Sequence, residues 1–293
     1  MKCSEYIGNG WILTLLSVLF ITPAAVGQVD QSDDLVRKAE RAGIEKYLLN
    51  ELRDRTGGDR PAGRLLVTVL RSATEMANNN LPYERIIGKA FEGISKGVSS
   101  DKVALAVVEL HKSTETAADI VDRWAQSNAH SPIGSGNSEA SRKGLTVALS
   151  NVIRSDLSSA AAEDILTALT EASLPSDTGT GELVAAIRII PEIAAINQTG
   201  TTDGTATKFV IRALKGGFKS GDLQKLPAAL KMAQARNQPF VSAVLQGRTG
   251  QFGGLPASQV IQNLMNGNAG AVLPGSIPVG LDTPANNLDI PGM

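Results

Sequence analysis

Side chains able to do chemistry are few in this sequence, and its two histidines, His111 and His130, come first. Glu115 lies four residues after His111, so on a helix the two share a face and could hydrogen-bond or supply two metal ligands. A zinc site needs a third protein ligand, and neither histidine stands in an HExxH arrangement or beside triad partners, so the sequence assigns no metal and no cofactor. Carboxylates are plentiful, but Glu163-Asp164 and the Asp119/Asp122 pair fall on expected solvent faces. A glycosidase-type acid/base pair needs one carboxyl enclosed in a cleft. No G-x-S-x-G elbow or S-x-x-K arrangement occurs with suitable partners. Gly134-Ser135-Gly136 and Gly179-Thr180-Gly181 follow no expected strand and read as linkers, not phosphate loops. Asn197-Gln198-Thr199 fits a glycosylation acceptor, which carries weight only in a eukaryotic host.

What remains is charge. The whole chain has a formal net charge of -1, which excludes nucleic-acid binding by composition. Its distribution is uneven: residues 131–200 carry 4 basic and 8 acidic side chains, residues 201–293 carry 8 and 4. Between 208 and 248 eight cations face one acid, Asp222. Lys208, Arg212 and Lys215 recur at i, i+4, i+7, one stripe of a helix opposite Phe209 and Ala213, with Lys219 just beyond. This stripe is the candidate binding site, for an anionic envelope polymer or an acidic protein segment. The alternative is a solvated helix face.

The elements that would position these groups begin after residue 27. A weakly positive start at Lys2, an apolar run of 11 residues from Trp11 to Ile21, and the small residues Ala25-Val26-Gly27 predict a signal peptide over 1–27, cleaved after Gly27. The run is too short to span a bilayer, so no membrane span is expected once it is removed. Cleavage also removes Cys3, the only cysteine, leaving a periplasmic or extracellular chain without disulfide or thiolate chemistry.

The rest reads as helix, because apolar residues recur at helical spacing and no stretch alternates with period 2. Asp33–Arg55 is expected as two helices bent at Gly43, followed by stripes at Leu65/Leu66/Val69/Leu70/Ala73 and Ile86/Ile87/Ala90/Phe91/Ile94. Gly93 and Gly97 are expected to loosen the end of the second. Ser99 or Ser100 is expected to cap the next helix, with Val98 as a staple. That helix, Val103–Leu110, is apolar nearly all round and is expected to lie innermost, ending at His111, where the helix dipole favours a cation. Another helix is expected over Glu115–Gln126, with Ala118, Val121 and Trp124 inward. Further stripes include Leu145/Leu149/Val152/Ile153, Ile165/Leu166/Leu169 and Leu183/Ile187/Ile190, after which Pro191 is expected to kink the helix or start a new one. Phe209/Val210/Ala213/Leu214, Leu223/Leu226/Leu230/Ala233, Phe240/Val241/Val244/Leu245 and Val260/Ile261/Leu264/Met265 complete the set.

The expected organisation is an N-terminal helical domain over 29–126, a Gly/Ser-rich linker over 127–143, a C-terminal helical domain over 144–265 and a Gly/Pro/Asn-rich tail over 266–293. Apolar anchors precede helix starts at Ile44, Leu81, Val98, Leu157, Leu174, Phe218 and Leu255. A 17-residue interval occurs twice, at Leu81–Val98 and Leu157–Leu174. This predicts an all-α fold of short helical hairpins stacked as an irregular α-solenoid or bundle, without the tetratricopeptide pattern. The corresponding function is an exported, non-catalytic binding or scaffolding protein. The alternatives are an envelope polysaccharide hydrolase with paired carboxylates and a carrier of an apolar ligand between helices.

Overall fold

The helical periodicity is realised as helix. The structure, a computed structural model, describes residues 26–57, 60–128, 139–155, 157–196, 204–236 and 255–267, which hold eleven helices and no strand. They are α1 (Val26–Arg41), α2 (Lys46–Thr56), α3 (Arg60–Asn78), α4 (Glu84–Ser95), α5 (Ser100–Ser127) and α6 (Glu139–Arg154). There follow α7 (Ser159–Glu171), α8 (Thr180–Ile196), α9 (Thr205–Lys215), α10 (Ser220–Ala235) and α11 (Ala257–Asn266). The stripes at Leu65/Leu66/Val69/Leu70/Ala73 and Ile86/Ile87/Ala90 are buried, and so are Leu223, Leu226, Leu230 and Ala233. The residues expected to form a helix at Phe240–Leu245 lie outside the described residues, as do residues 1–25 of the expected signal peptide and residues 268–293 of the expected tail. No helix among the described residues is long and apolar enough to cross a membrane.

The two helices expected over Val103–Leu110 and Glu115–Gln126 are one, the 28-residue α5. Between them stands His111-Lys112-Ser113-Thr114, which contains neither Gly nor Pro. The Ser113 and Thr114 hydroxyls donate back to the Leu110 carbonyl at 3.0 and 2.7 Å without opening the helix. Nor is its first part buried all round. Val103, Val107 and Leu110 face inward, but Leu105 is 60% exposed, so apolar content there overstates burial. One stripe of α5 serves two clusters of buried side chains. Val103, Val107, Leu110 and Ala118 join the cluster built from α1–α4, while Ala117, Ile120 and Val121 join the one built from α6–α11. Small groups let α6 come close to it: Ser150 Oγ sits 3.1 Å from both Ser113 Oγ and Thr114 Oγ1, deep in the interface.

The apolar anchors close the helices before them. At Ile44, Leu81, Val98 and Phe218 the backbone N–H donates to the carbonyl five residues earlier, Ala39, Met76, Gly93 and Ala213 respectively, at 2.8–3.1 Å. The residue before each has positive φ: Gly43 (90°), Asn80 (57°), Gly97 (67°) and Gly217 (79°). This is the Schellman ending, in which a left-handed residue turns the chain and the next apolar residue covers the last turn. Ile44, Leu81 and Phe218 are buried by it, but Val98 is 41% exposed and does not act as a buried staple. Ser99, the N-cap of α5, makes no side-chain cap, whereas Ser158 accepts from the Ala161 N–H at 3.1 Å at the start of α7. Gly93 does not loosen α4. A Cβ there would stand 2.5 Å from Val103 Cγ2, so the missing side chain is what admits α5. Pro191 likewise stays inside α8 and does not end it.

Helices pack mainly on neighbours one or two places away in the chain. One line of contacts runs α1–α3–α5–α6–α8–α10–α11, with α2–α4 and α7–α9 beside it. The two 17-residue units enclose α4 and α7, which differ in packing. The first lies against the following α5, the second chiefly against α5, α6 and α9.

Candidate binding surface on the C-terminal helices

The basic stripe exists because α9 must bury its other side. Phe209, Val210, Ala213 and Leu214 are all within 2% of complete burial, which turns Lys208 and Lys215 outward and leaves Arg212 half-buried. Gly204, at φ 67°, makes the tight entry to the helix, and Arg212 and Lys215 occupy its last turn, where the dipole favours cations. Lys208, Arg212 and Lys215 form no ion pair among the described residues. Other surface cations are paired, as in Lys38–Asp34, Arg55–Glu51 and Lys143–Glu139. Lys219 belongs with these. Its ammonium lies 2.6 Å from the Asp177 carboxylate, which raises the lysine pKa, lowers that of the aspartate and ties the start of α10 to the turn before α8. Among the described residues the stripe is therefore three cations without an ion-pair partner, two exposed and one half-buried, with a fourth already engaged.

Lys208 also borders a crevice of about 730 Å³, open mouth included, between α7, α8 and α9. Its wall is aliphatic, with Leu157, Ile165, Ala168, Ile190 and Ala194, and Asp164 adds one carboxylate across from the lysine.

Of the carboxylates that could serve the alternative machinery, Asp122 and Glu163 are engaged by arginines. Asp122 lies in a polar groove with Glu115, Asp119 and Asn79, and Arg142 grips it with two hydrogen bonds of 2.7 Å. That pairing lowers its pKa and keeps it ionised. Glu163 pairs with Arg123 across the α5–α7 contact, and Asp164 is exposed. His111 is not at a helix end but inside α5, so the dipole argument does not apply to it. Its Nε2 is buried, 3.3 Å from Glu115 and 3.7 Å from Glu75 of α3, without hydrogen-bond geometry to either. Among the described residues no group of three His, Cys, Asp or Glu side chains is arranged to hold a metal. His130, Gly134–Gly136 and Asn197–Thr199 lie outside the described residues. Gly93-Ile94-Ser95-Lys96-Gly97 does have the G-x-S-x-G order, but it ends a helix. Ser95 Oγ donates to the Glu92 carbonyl at 2.9 Å, so it lacks the strand-to-helix turn that exposes a nucleophile.

A half-buried arginine links α4 to α6. Arg85 reaches from α4 to Asn151 of α6, with Nη2 donating to Oδ1 at 2.6 Å. Its Nη1 is buried and has no acceptor among the described residues. Burial first, then the charges of Arg154 and Arg188, lowers its pKa from the usual guanidinium range. Nothing in local sequence signals this, because the three arginines are 69 and 34 residues apart.

With these features described, the class is that of an all-helical protein whose neighbouring helices pack in chain order. No known family model, curated protein or solved structure matches the chain.

Proposed function

We propose that the chain is an exported helical protein that binds or scaffolds, in the cell envelope or outside the cell, and that docks an anionic partner on the cationic face of α9. The observation that carries this reading is the open stripe. Lys208, Arg212 and Lys215 lie on the side of α9 away from its buried apolar face and have no ion-pair partner among the described residues. Three cations within two helical turns attract polyanions by a field that salt screens over roughly 8 Å at physiological ionic strength. The line of contacts from α1 to α11 supports an irregular solenoid, in which a long shared surface is presented by helices stacked in chain order. Charge reversal tests the docking. Lys208→Glu, Arg212→Glu and Lys215→Glu together are expected to abolish salt-dependent retention of the protein from residue 28 onward on an anionic polysaccharide, at unchanged melting temperature. Retention equal to that of the parent across a salt gradient would remove α9 as the docking face.

A further inference from the structure

Between the last two turns of α5 and the middle of α7 lies a groove that shares no residue with the α9 stripe. The two helices pack directly, and each lines the groove at i, i+3 and i+4: Ile120, Arg123 and Trp124 from α5, Glu163, Leu166 and Thr167 from α7. Its volume is about 600 Å³, open mouth included, within the range of roughly 300–1,000 Å³ found for small-ligand sites.

The floor is apolar and held in place. Ile120 and Leu166 are buried, and Trp124 is half-buried and packed against the second cluster of buried side chains. The Trp124 Nε1 donates to Thr170 Oγ1 at 2.8 Å, and Thr170 is not part of the groove lining. The one polar atom of the indole is thus engaged outside the groove, and the ring offers the groove carbon alone.

The rim is polar and rich in acceptors. The exposed hydroxyls of Ser127 and Thr167 donate to the carbonyls of Arg123 and Glu163, both at 3.0 Å, so the oxygen of each is left as an acceptor. Asn128 ends α5 with its backbone N–H and its Nδ2 both donating to the Trp124 carbonyl, at 3.0 and 2.9 Å, which orients the side chain and leaves Oδ1 as an acceptor. Arg123 Nη2 donates to Glu163 Oε1, and this bond uses only part of what a guanidinium and a carboxylate offer. The pair also cancels the charge of the rim.

These features select a ligand. A charged one would have to displace a member of the Arg123–Glu163 pair. A purely apolar one would cover the rim acceptors without hydrogen bonds, at a cost for each. The complement is an uncharged molecule with a C–H face for the indole and hydroxyl donors around its edge. A pyranose ring has both: its axial C–H groups meet the electron-rich π face, and its hydroxyls donate and accept around the ring.

We propose that the groove between α5 and α7 binds a short neutral saccharide, with Trp124 as the platform under one sugar ring and Arg123, Ser127, Asn128, Glu163 and Thr167 holding its hydroxyls.

The chain's two tryptophans are Trp11 and Trp124, so in the protein from residue 28 onward indole fluorescence reports on this groove alone. The probes are the methyl glycosides of glucose, galactose, mannose and N-acetylglucosamine, and the neutral disaccharides cellobiose, maltose and chitobiose. At least one is expected to change the emission saturably, with the same Kd by isothermal calorimetry. Glu163→Ala and Thr167→Ala are each expected to raise that Kd about tenfold, as loss of one hydrogen bond does, and Trp124→Ala to abolish binding by calorimetry. Glu163 and Thr167 are exposed, so their variants keep the proposal testable if the Trp124 variant does not fold. Saturable binding that is weakened in either rim variant supports the site. No saturable response to any sugar, affinity equal to that of the parent in both rim variants, or a response to adenosine or uridine with none to the sugars, overturns it. The probes are uncharged and the α9 charges lie outside the groove, so reversing those charges leaves the response intact and the two readings fail separately.

Discussion

Gly93 shows how much one missing side chain decides here. A Cβ at this position would lie 2.5 and 3.0 Å from the two methyl groups of Val103 and 3.3 Å from its Cβ, so the valine or the helix that carries it must shift. Gly93→Ala gains helix propensity but forces α4 away from α5, and overpacking of a tight contact costs about 1 to 3 kcal/mol. The expected result is a lower urea midpoint with unchanged slope, largely restored by Val103→Ala in the same chain, which urea titration of the single and double variants would show. A midpoint at or above that of the parent would mean the helices are free to separate. In the sequence Gly93 reads as a weak point, because a glycine's role in packing depends on a residue ten positions away across a turn. Arg85 was illegible for the same reason. It reads as one more helix-surface cation until α6 brings Asn151 to it. The α9 stripe was legible because its three charges and its buried face both follow from one helical period. Asp177, the partner of Lys219, could not be read from that period, since it lies across a turn on another element.

At the scale of elements, turns at helix ends are the most repetitive feature, and the sequence displays them with their direction reversed. Ile44, Leu81, Val98 and Phe218 read as the beginnings of helices, yet their N–H groups reach back five residues to finish the preceding ones. The two roles are hard to separate by eye because an apolar residue between two helices borders both. The preceding Gly or Asn is the discriminating signal, since positive φ is inexpensive for these residues and costly for others. Gly217 at φ 79° ends α9 directly below the basic stripe. Gly217→Ala is therefore expected to cost about 1 kcal/mol, whereas Gly221→Ala, in the first turn of α10 with open space around it, should cost nothing or stabilise slightly. Thermal melting of the two variants checks the contrast. Equal melting temperatures would mean that the left-handed turn is not what sets the path of the chain from α9 into α10. The same discrimination explains α5: without Gly or Pro between Leu110 and Glu115 there is no turn, and one long helix replaces two short ones.

Across the whole molecule, the all-helical class followed from periodicity, but the order of packing did not, since burial faces say that a helix is covered and not by which neighbour. The contacts in chain order, and the two clusters of buried side chains that meet along α5, imply that stability is shared unevenly. In a chain of nearest-neighbour contacts a local defect weakens its surroundings most, unless it falls on an element that both sides use. Leu230 of α10 is fully buried in the second cluster alone, and Leu230→Ala removes about 2 to 5 kcal/mol of packing there. Val107 of α5 is fully buried in the first cluster, on the helix that also supplies Ala117, Ile120 and Val121 to the second. Val107→Asp places an unpaired carboxylate in that seam, a cost of several kcal/mol that approaches the whole stability of a domain. Amide hydrogen exchange should then give two different maps. Leu230→Ala is expected to speed exchange in α8, α10 and α11 while α1–α4 keep the protection of the parent. Val107→Asp is expected to speed exchange in α1–α4 and in α6 together. If Leu230→Ala instead lowers protection evenly from α1 to α11, the helices unfold as one unit, and coupling along the line of contacts is stronger than its nearest-neighbour form implies.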